Sequence, residues 1–381
     1  MGPTILLLAT ATKWLGTARM PRELAMAGWS VWLLTPKNSL AERSGFVEKI
    51  GHLPDNATPR QWLHAFAAMV KAGAPRLVVP CDDTSFRLLQ QLAVAPPGNM
   101  QPLLQLQLNA LIKDSLGDPA HYESSVDKTL LCAAAEGLGV RVPPNAVVTE
   151  LAAAESFAVK HGWPVVIKRR YSSAGDGVAI CADQAELARE FARLAKGTPS
   201  DRPPVDARRL LVQAYIPGGT YYYAATTWRG SVLCGYAVEK LEGHPRGAAS
   251  VVRYFHSAEL AEFAARLAAG FGATGIFGPE FIIHEHTGQA YLLEINRRIT
   301  PGTHRGALVD IGSGAALLSA MEGTRLPTRK RLDDGEERVF VSFPHEWLRD
   351  PTSDYLRRLP VDVPWDEPEL FEAMLAMRHN Q

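Results

Sequence analysis

Glu280, Glu294 and Asn296 stand on two apolar-rich stretches, GPEFIIHE and YLLEINRR, on either side of a turn at His286-Thr287-Gly288. If the hairpin is symmetric about Thr287, Glu280 lies across from Glu294, and cross-strand partners share a face. Side chains alternate along a strand, so Asn296 projects to the same face. Facing carboxylates destabilise a sheet unless a cation lies between them. Two carboxylates and an amide oxygen make a hard, all-oxygen ligand set that suits Mg2+ bound together with phosphates. The alternative is a solvent-facing hairpin with scattered charges.

Lys168 closes an apolar run, where a lysine must find water or an anion. The loop Ser172-Ser173-Ala174-Gly175-Asp176-Gly177 follows; its small residues let backbone N–H groups approach phosphate oxygens, although such a loop is otherwise a plain hairpin turn. Gln213-Ala214-Tyr215-Ile216 ends another apolar run, just before Pro217-Gly218. Backbone groups left unpaired there suit a flat base such as adenine, one C=O accepting and one N–H donating. Read alone, the stretch is an interdomain linker strand. His304, in a polar loop, is either a general base or a structural histidine. Asp82-Asp83 follow an apolar run at the edge where parallel sheets bind ligands, and an N-cap plus a turn residue is the simpler account.

The elements that position these residues read as follows. Apolar runs at 4–10, 30–34 and 77–79, with a helical stretch at 20–27 closed by Gly28, have the spacing of a parallel sheet with crossover helices. The Gly16-Thr17-Ala18 turn is not GxGxxG, which gives a dinucleotide site little support. Beyond 127 the pattern predicts a helix to 137, a strand at 146–149, a helix at 151–161, strands at 164–168 and 178–181, and a helix at 184–194. Residues 197–208 are polar and proline-rich and read as a surface loop. A strand at 210–216 stops at Pro217-Gly218-Gly219, followed by strands at 221–228 and 231–239, a helix at 258–270 and the hairpin at 279–296. The tail beyond 325 reads as an ordered wrap on the surface.

The 381 residues suffice for two or three cores. Forty basic residues balance forty acidic ones, which argues against a general nucleic-acid binder and a polybasic membrane anchor. The apolar run at 5–9 is too short to span a membrane. Four widely spaced cysteines, with no Cys-x-x-Cys pair, argue against a disulfide framework or zinc site and for the cytoplasm.

Taken in order, Asp127-Lys128, the strand-ending Lys168, the small-residue loop, "YIPG" at 215–218 and Glu280 with "EINRR" at 294–298 resemble the ATP-grasp superfamily, from about 120 to 325. The implied fold class is α/β and α+β. An N-terminal Rossmann-like parallel-sheet (pre-ATP) domain at 1–118 precedes two ATP-gripping lobes: a small lid subdomain at 119–209 and a catalytic subdomain at 210–325. A C-terminal extension at 326–381 packs on the core.

The resemblance also implies roles. Lys128 and Lys168 contact the nucleotide, Ser172, Ser173, Gly175 and Gly177 belong to the loop over its phosphates, and Gln213, Ala214, Tyr215 and Ile216 hold adenine. Glu280, Glu294 and Asn296 bind the metal, and Arg298, with Lys168, serves catalysis beside the transferred phosphate. Arg297 replaces the motif's proline and faces solvent or a second anion. Lys240 and Arg246 touch the triphosphate or lie in a solvated loop. The implied cofactors are ATP and Mg2+, with Mn2+ as a substitute. The implied activity is an ADP-forming carboxylate–amine ligase acting on small-molecule carboxylate and amine substrates, without nucleic acid or membrane; a homodimer is compatible. The alternatives are a bicarbonate-using carboxylase or carbamoyl-phosphate type enzyme, and an ATP-binding protein without catalysis.

Overall fold

Ile5, Leu6, Leu7 and Leu8 are fully buried, with alternate side chains turned into two separate cores. That is the position of an inner strand in a sheet covered by helices on both faces. In the computed structural model, which describes residues 2–172, 177–196, 209–243, 248–329, 332 and 335–377, they form part of β1 (Thr4–Leu8). With β2 (Ser30–Pro36), β3 (Lys49–Leu53) and β4 (Leu77–Pro80) it builds a parallel sheet of order β3-β2-β1-β4. The helices are α1 (Leu15–Met26), α2 (Pro59–Gly73), α3 (Asp83–Val94) and α4 (Pro102–Leu116). α1 begins earlier than its apolar pattern predicts, so Gly16-Thr17-Ala18 is helix and not a turn. A Cβ on Gly16 would come 2.7 Å from the Thr300 carbonyl oxygen, so glycine permits a close approach to the chain after residue 298.

The second sheet follows α5 (Lys128–Gly137). It contains β5 (Asn145–Val148), β6 (Val165–Arg169), β7 (Val178–Cys181) and β8 (Leu210–Ala214), antiparallel in the order β5-β8-β6-β7. α6 (Leu151–His161) and α7 (Gln184–Leu194) cover the face bearing Val165, Ile167, Leu210 and Val212. Lys168 and Gln213 therefore point to the other face. β8, which the sequence division assigns to the third segment, lies inside this second sheet and ends two residues before the expected Ile216. The expected 197–208 loop lies outside the described residues.

The third sheet is antiparallel. Its strands are β9 (Gly218–Trp228), β10 (Ser231–Gly243), β11 (Ala249–Phe255), β12 (Gly275–His284), β13 (Ala290–Asn296) and β14 (Arg338–Val341), in the order β13-β12-β9-β10-β11-β14. Gly218 opens β9 and does not act as a stop; a Cβ there would lie 1.9 Å from the Ile283 carbonyl oxygen. β9 and β10 meet through Arg229 and Gly230, both at positive φ, as a two-residue hairpin requires. α8 (Ala258–Gly270) packs one face with α5. α9 (Gly306–Val309), α10 (Ser313–Glu322), α11 (His345–Arg349), α12 (Asp354–Arg358) and α13 (Pro368–Leu375) complete the chain. The tail is woven in more deeply than a surface wrap: β14 pairs with β11, and Leu370 and Met374 of α13 are fully buried beside β1 and α1.

The β12–β13 register carries the site. Glu280 does pair with Glu294, and Gly278 with Asn296. Nearer the turn, Phe281 pairs with Leu292, so Leu293 is an extra residue in β13. Such a bulge turns the strand and reverses the alternation of faces. Phe277, Phe281 and Leu292 join the apolar core, while Glu280 and Glu294 share the opposite face. A symmetric hairpin thus gives the correct pair, but the register holds only through the bulge. Were Leu293 paired as an ordinary strand residue, alternation would send Glu294, two residues after Leu292, into the core. Deleting Leu293 leaves an uninterrupted register that keeps Glu280 opposite Glu294, so the variant is expected to fold with a loss of under about 2 kcal/mol, the ordinary range for a single change. Thermal unfolding checks this, and a loss of roughly 3–5 kcal/mol, the usual cost of an uncompensated buried charge, would mean that Glu294 had turned into the core.

Candidate active site

Lys128 is placed by its neighbour. The fully buried carboxylate of Asp127 caps α5, accepting from Thr129 N at 2.8 Å and Thr129 Oγ1 at 2.7 Å; its other oxygen accepts from Arg170 Nε at 2.7 Å. Lys128, also buried, sends Nζ to Glu294 Oε2 at 2.9 Å and donates to the Ser172 carbonyl oxygen at 3.0 Å. One ammonium group thus joins the second sheet's β6–β7 loop to β13 of the third. Lys168 is buried with no hydrogen-bond partner among the described residues. Burial pulls its pKa down to about 8; the Glu294 carboxylate resists that fall and Lys128 adds to it.

Glu280 lies between Glu294 on β13 and Tyr222 on β9. Burial and the facing Glu294 carboxylate push its pKa up to about 7. Burial also opposes the charge of Glu294, but Lys128, Lys168 and Arg298 outweigh it and hold that carboxyl below its usual range. A third of the Glu294 side chain is exposed, so the pair lines a cleft and not a sealed core. Asn296 is buried opposite Gly278, where a Cβ would come 2.2 Å from the Tyr222 hydroxyl oxygen; glycine makes room for that ring beside the acids. The donor set fits a hard divalent cation, because a positive charge between Glu280 and Glu294 relieves the repulsion that raises Glu280. Among the described residues no three His, Cys, Asp or Glu side chains are grouped so that they could hold a metal ion by themselves. An ion here would complete its shell with the Asn296 amide, water and phosphate oxygens, as Mg2+ commonly does.

The other expected residues fall around this cleft. Buried Gln213 donates to Cys132 Sγ at 3.4 Å, and the Ala214 N–H is taken by the Pro144 carbonyl at 2.9 Å. Backbone groups for a flat base are therefore offered by Tyr215 and Ile216, which make no backbone hydrogen bonds among the described residues. Ser172 and Gly177 abut at the loop base, a Cβ on Gly177 falling 2.3 Å from that of Ser172. Ser173 and Gly175 lie outside the described residues, as does Arg246. Lys240 is a strand residue of β10 and not part of a loop; burial lowers its pKa and the nearby Glu280 opposes that shift.

Arg298 is held bidentately by Asp83, with Nε to Oδ1 at 3.1 Å and Nη2 to Oδ2 at 3.2 Å, and it lies 5.0 Å above the Trp14 ring. Asp82 is the N-cap of α3, as expected. Asp83 is more than a turn residue: it lies at the ligand-binding edge that the sequence offered for the Asp82-Asp83 pair, whereas Trp14 is a site neighbour that sequence reasoning did not single out. The available signal for Trp14 was its position after β1, at the carboxyl edge of a parallel sheet. Arg297 faces neither solvent nor an anion. It is buried between Phe86 and Phe277 and donates to Ser125 Oγ and the Leu116 carbonyl. His304 packs against Asp362 at 3.1 Å, and burial lowers its pKa to about 4. It is a structural contact to the tail and not a base poised near neutrality.

Comparison with known proteins bears on this cleft. Residues 125–302 match the family described as ATP-grasp domain. The chain is 25% identical over 211 residues to the carbamoyl phosphate synthase large chain of Gemmatimonas aurantiaca, covering 52% of this chain and 19% of that protein. It therefore spans about a fifth of that relative's length. Among solved structures it resembles the biotin carboxylase domain dimer of Hydrogenobacter thermophilus 2-oxoglutarate carboxylase, determined with MgADP, ADP and bicarbonate. The TM-score is 0.67 at 16% identity, over 89% of this chain and 74% of that one. It also resembles carboxyaminoimidazole ribonucleotide synthase from Aspergillus clavatus complexed with ATP, with a TM-score of 0.64 at 15% identity, over 89% and 81%. At these identities the likeness is one of fold.

Proposed function

Because residues 125–302 form an ATP-grasp domain, we propose that this chain is an ADP-forming ligase that uses ATP and Mg2+ to activate a carboxylate for attack by an amine. One observation carries the reading: Glu280 faces Glu294 in a cleft into which α5 delivers Lys128 and the neighbouring sheet delivers Lys168. In the first step a carboxylate oxygen attacks the γ-phosphorus of ATP. The new P–O bond forms as the bond to the β,γ-bridging oxygen breaks, and ADP leaves with that electron pair. In the second step the amine nitrogen adds to the acyl carbon, loses a proton and expels inorganic phosphate, leaving an amide or peptide-like bond.

This chain's residues bind, orient and neutralise. Lys128 and Lys168 take phosphate oxygens, and Arg298 faces the transferred phosphoryl group, where fixed cations stabilise developing charge. Tyr215 and Ile216 offer the backbone groups for adenine, and Ser172 and Gly177 anchor the loop beside the phosphates. Glu280, Glu294 and Asn296 would hold Mg2+, or Mn2+ in its place, and the ion would neutralise phosphate oxygens. In the unliganded cleft Lys128 already serves as countercharge to Glu294. A triphosphate that takes over Lys128 leaves Glu294 free for the metal, so nucleotide and ion are expected to bind together. The proposed setting is the cytoplasm, consistent with four free, buried cysteines. No helix among the described residues is long and apolar enough to cross a membrane. A homodimer, the form in which the Hydrogenobacter domain was determined, belongs to the same proposal.

A second reading has bicarbonate as the carboxylate; the carboxylase neighbours favour it. One experiment separates the two. Purified protein is incubated with ATP, Mg2+ and pools of amino acids, hydroxy acids or bicarbonate, and ADP release is measured. Release that requires both a carboxylate and an amine is expected. Dependence on bicarbonate alone selects the second reading, and tight Mg-ATP binding without turnover overturns the enzyme altogether. Glu294→Gln is expected to cut turnover about 100-fold or more, with the thermal midpoint retained; normal Mg-dependent activity would remove Glu294 from the metal site.

The lowered pKa of Lys168 gives a further test. Near about pH 8.5 Lys168 is mostly neutral in the free protein, whereas Glu280 is already ionised. Nucleotide phosphates favour the charged lysine, so binding should take up roughly half a proton or more per nucleotide. Calorimetry in buffers of different ionisation enthalpy reads that number. Lys168→Met should abolish the uptake and weaken ATP binding, and uptake unchanged in that variant would place the titration elsewhere.

A further inference from the structure

The guanidinium of Arg298 is gripped by parts of the chain far from it in sequence. Asp83, the first residue of α3, takes Nε and Nη2 at 3.1 and 3.2 Å. The Trp14 ring lies 5.0 Å beneath, and its Nε1–H donates to the Ile299 carbonyl oxygen at 3.0 Å. The same carbonyl accepts from Arg298 Nη1 at 3.4 Å. Ile299 N donates to the Pro80 carbonyl oxygen at 3.2 Å, which ties this segment to the end of β4. Arg298 side-chain exposure is 11%, against 45% for Asp83, so the guanidinium is fixed while the carboxylate that fixes it remains reachable. The contacts come from the carboxyl edge of the parallel sheet, a different layer from the strands that carry Glu280 and Glu294.

We propose that Asp83 is a positioning residue that aims Arg298 at the transferred phosphoryl group, so that the N-terminal sheet completes the catalytic site of the third. A planar fork with both near-side donors bound by one carboxylate cannot rotate about its long axis. Its remaining N–H groups then point in one fixed direction. The proposal rests on the reading that Arg298 faces that phosphoryl group, and the test distinguishes the failure of each.

Mg-ADP binding is measured by calorimetry with and without aluminium fluoride, a mimic of the phosphoryl group in flight, for the parent chain, Asp83→Asn, Arg298→Ala and the double variant. Asp82, the N-cap of α3, is kept, so Asp83→Asn should fold. Asp83→Asn is expected to lose about tenfold of the tightening given by aluminium fluoride, with Mg-ADP affinity alone within about twofold of the parent. The double variant should be no worse than Arg298→Ala. If Arg298→Ala alone leaves the tightening intact, or the parent shows none, the phosphoryl reading of Arg298 fails and this proposal falls with it. If Arg298→Ala loses the tightening and Asp83→Asn keeps it, only the role of Asp83 is overturned. An equal loss of Mg-ADP affinity in Asp83→Asn would mark a structural role and also overturn it.

Discussion

Two carboxylates facing each other across adjacent strands are the constraint to which the rest of the cleft responds. With side chains rooted about 5 Å apart, and an effective dielectric of about 20, like charges repel by roughly 3 kcal/mol. That is a large fraction of the net stability of an ordinary domain. The chain does not remove the acids; it places Lys128 from α5, Lys168 from the second sheet and Arg298 from the far end of the β13 segment around them. The imbalance that remains falls on Glu280, whose carboxyl is pushed up toward neutrality, while Lys128 keeps Glu294 ionised. A cleft with this distribution of charge is already complementary to a polyphosphate carrying a cation. Under the proposed function the phosphate oxygens would satisfy the lysines, and the cation would satisfy the acids.

The same requirement explains why three sheets are needed. A single sheet can present the acids, but a lysine from the same face would neutralise them permanently and leave nothing for a ligand. Here the cations arrive on separate elements. Lys168 lies next to the last residue of a strand of the second sheet, Lys128 starts the helix between the first and second sheets, and Arg298 is gripped by the first. Asp127 sits at the junction, buried, capping α5 with one oxygen and binding Arg170 with the other. Because Lys128 also holds the Ser172 carbonyl, displacement of its ammonium by phosphate would loosen the β6–β7 loop from Glu294. Ligand charge and lobe position are coupled through that one group.

Much of this was legible in the residues themselves. The facing of Glu280 and Glu294, the strand-ending lysine and the parallel N-terminal sheet follow from periodicity and turn position, because they are local. What escaped is non-local. The bulge at Leu293 leaves no mark in composition, since Leu-Leu before Glu fits a regular strand equally well. β14 and α13 are bound into the core by partners more than eighty residues away, and a charged tail with scattered tryptophans does not announce such pairings. The Asp82-Asp83 pair reads as an N-cap plus a turn residue at an edge where parallel sheets bind ligands; the partner of Asp83 appears only when a residue over two hundred positions later folds onto it. His304 misled for the opposite reason, since a histidine in a polar-looking loop becomes a buried, neutral group once Asp362 packs beside it.

Arg297 and Arg298 show how completely the fold, and not residue type, assigns these roles. They are adjacent and identical in chemistry, yet alternation along the chain sends them to opposite sides. Arg298 turns to the cleft and finds a carboxylate. Arg297 turns inward, between the rings of Phe86 and Phe277, where its named partners are a serine hydroxyl and a backbone carbonyl. Burial lowers its pKa to about 10, which still leaves it charged at neutral pH. A lysine there would be a compact ammonium without the flat faces that stack on two rings, so the position calls for a guanidinium. Phe86 belongs to α3, which also carries Asp83, and Phe277 belongs to β12, which also carries Glu280. The buried arginine therefore fixes the helix that aims Arg298 against the strand that holds the acid, and the geometry of the cleft is set from beneath as much as from within.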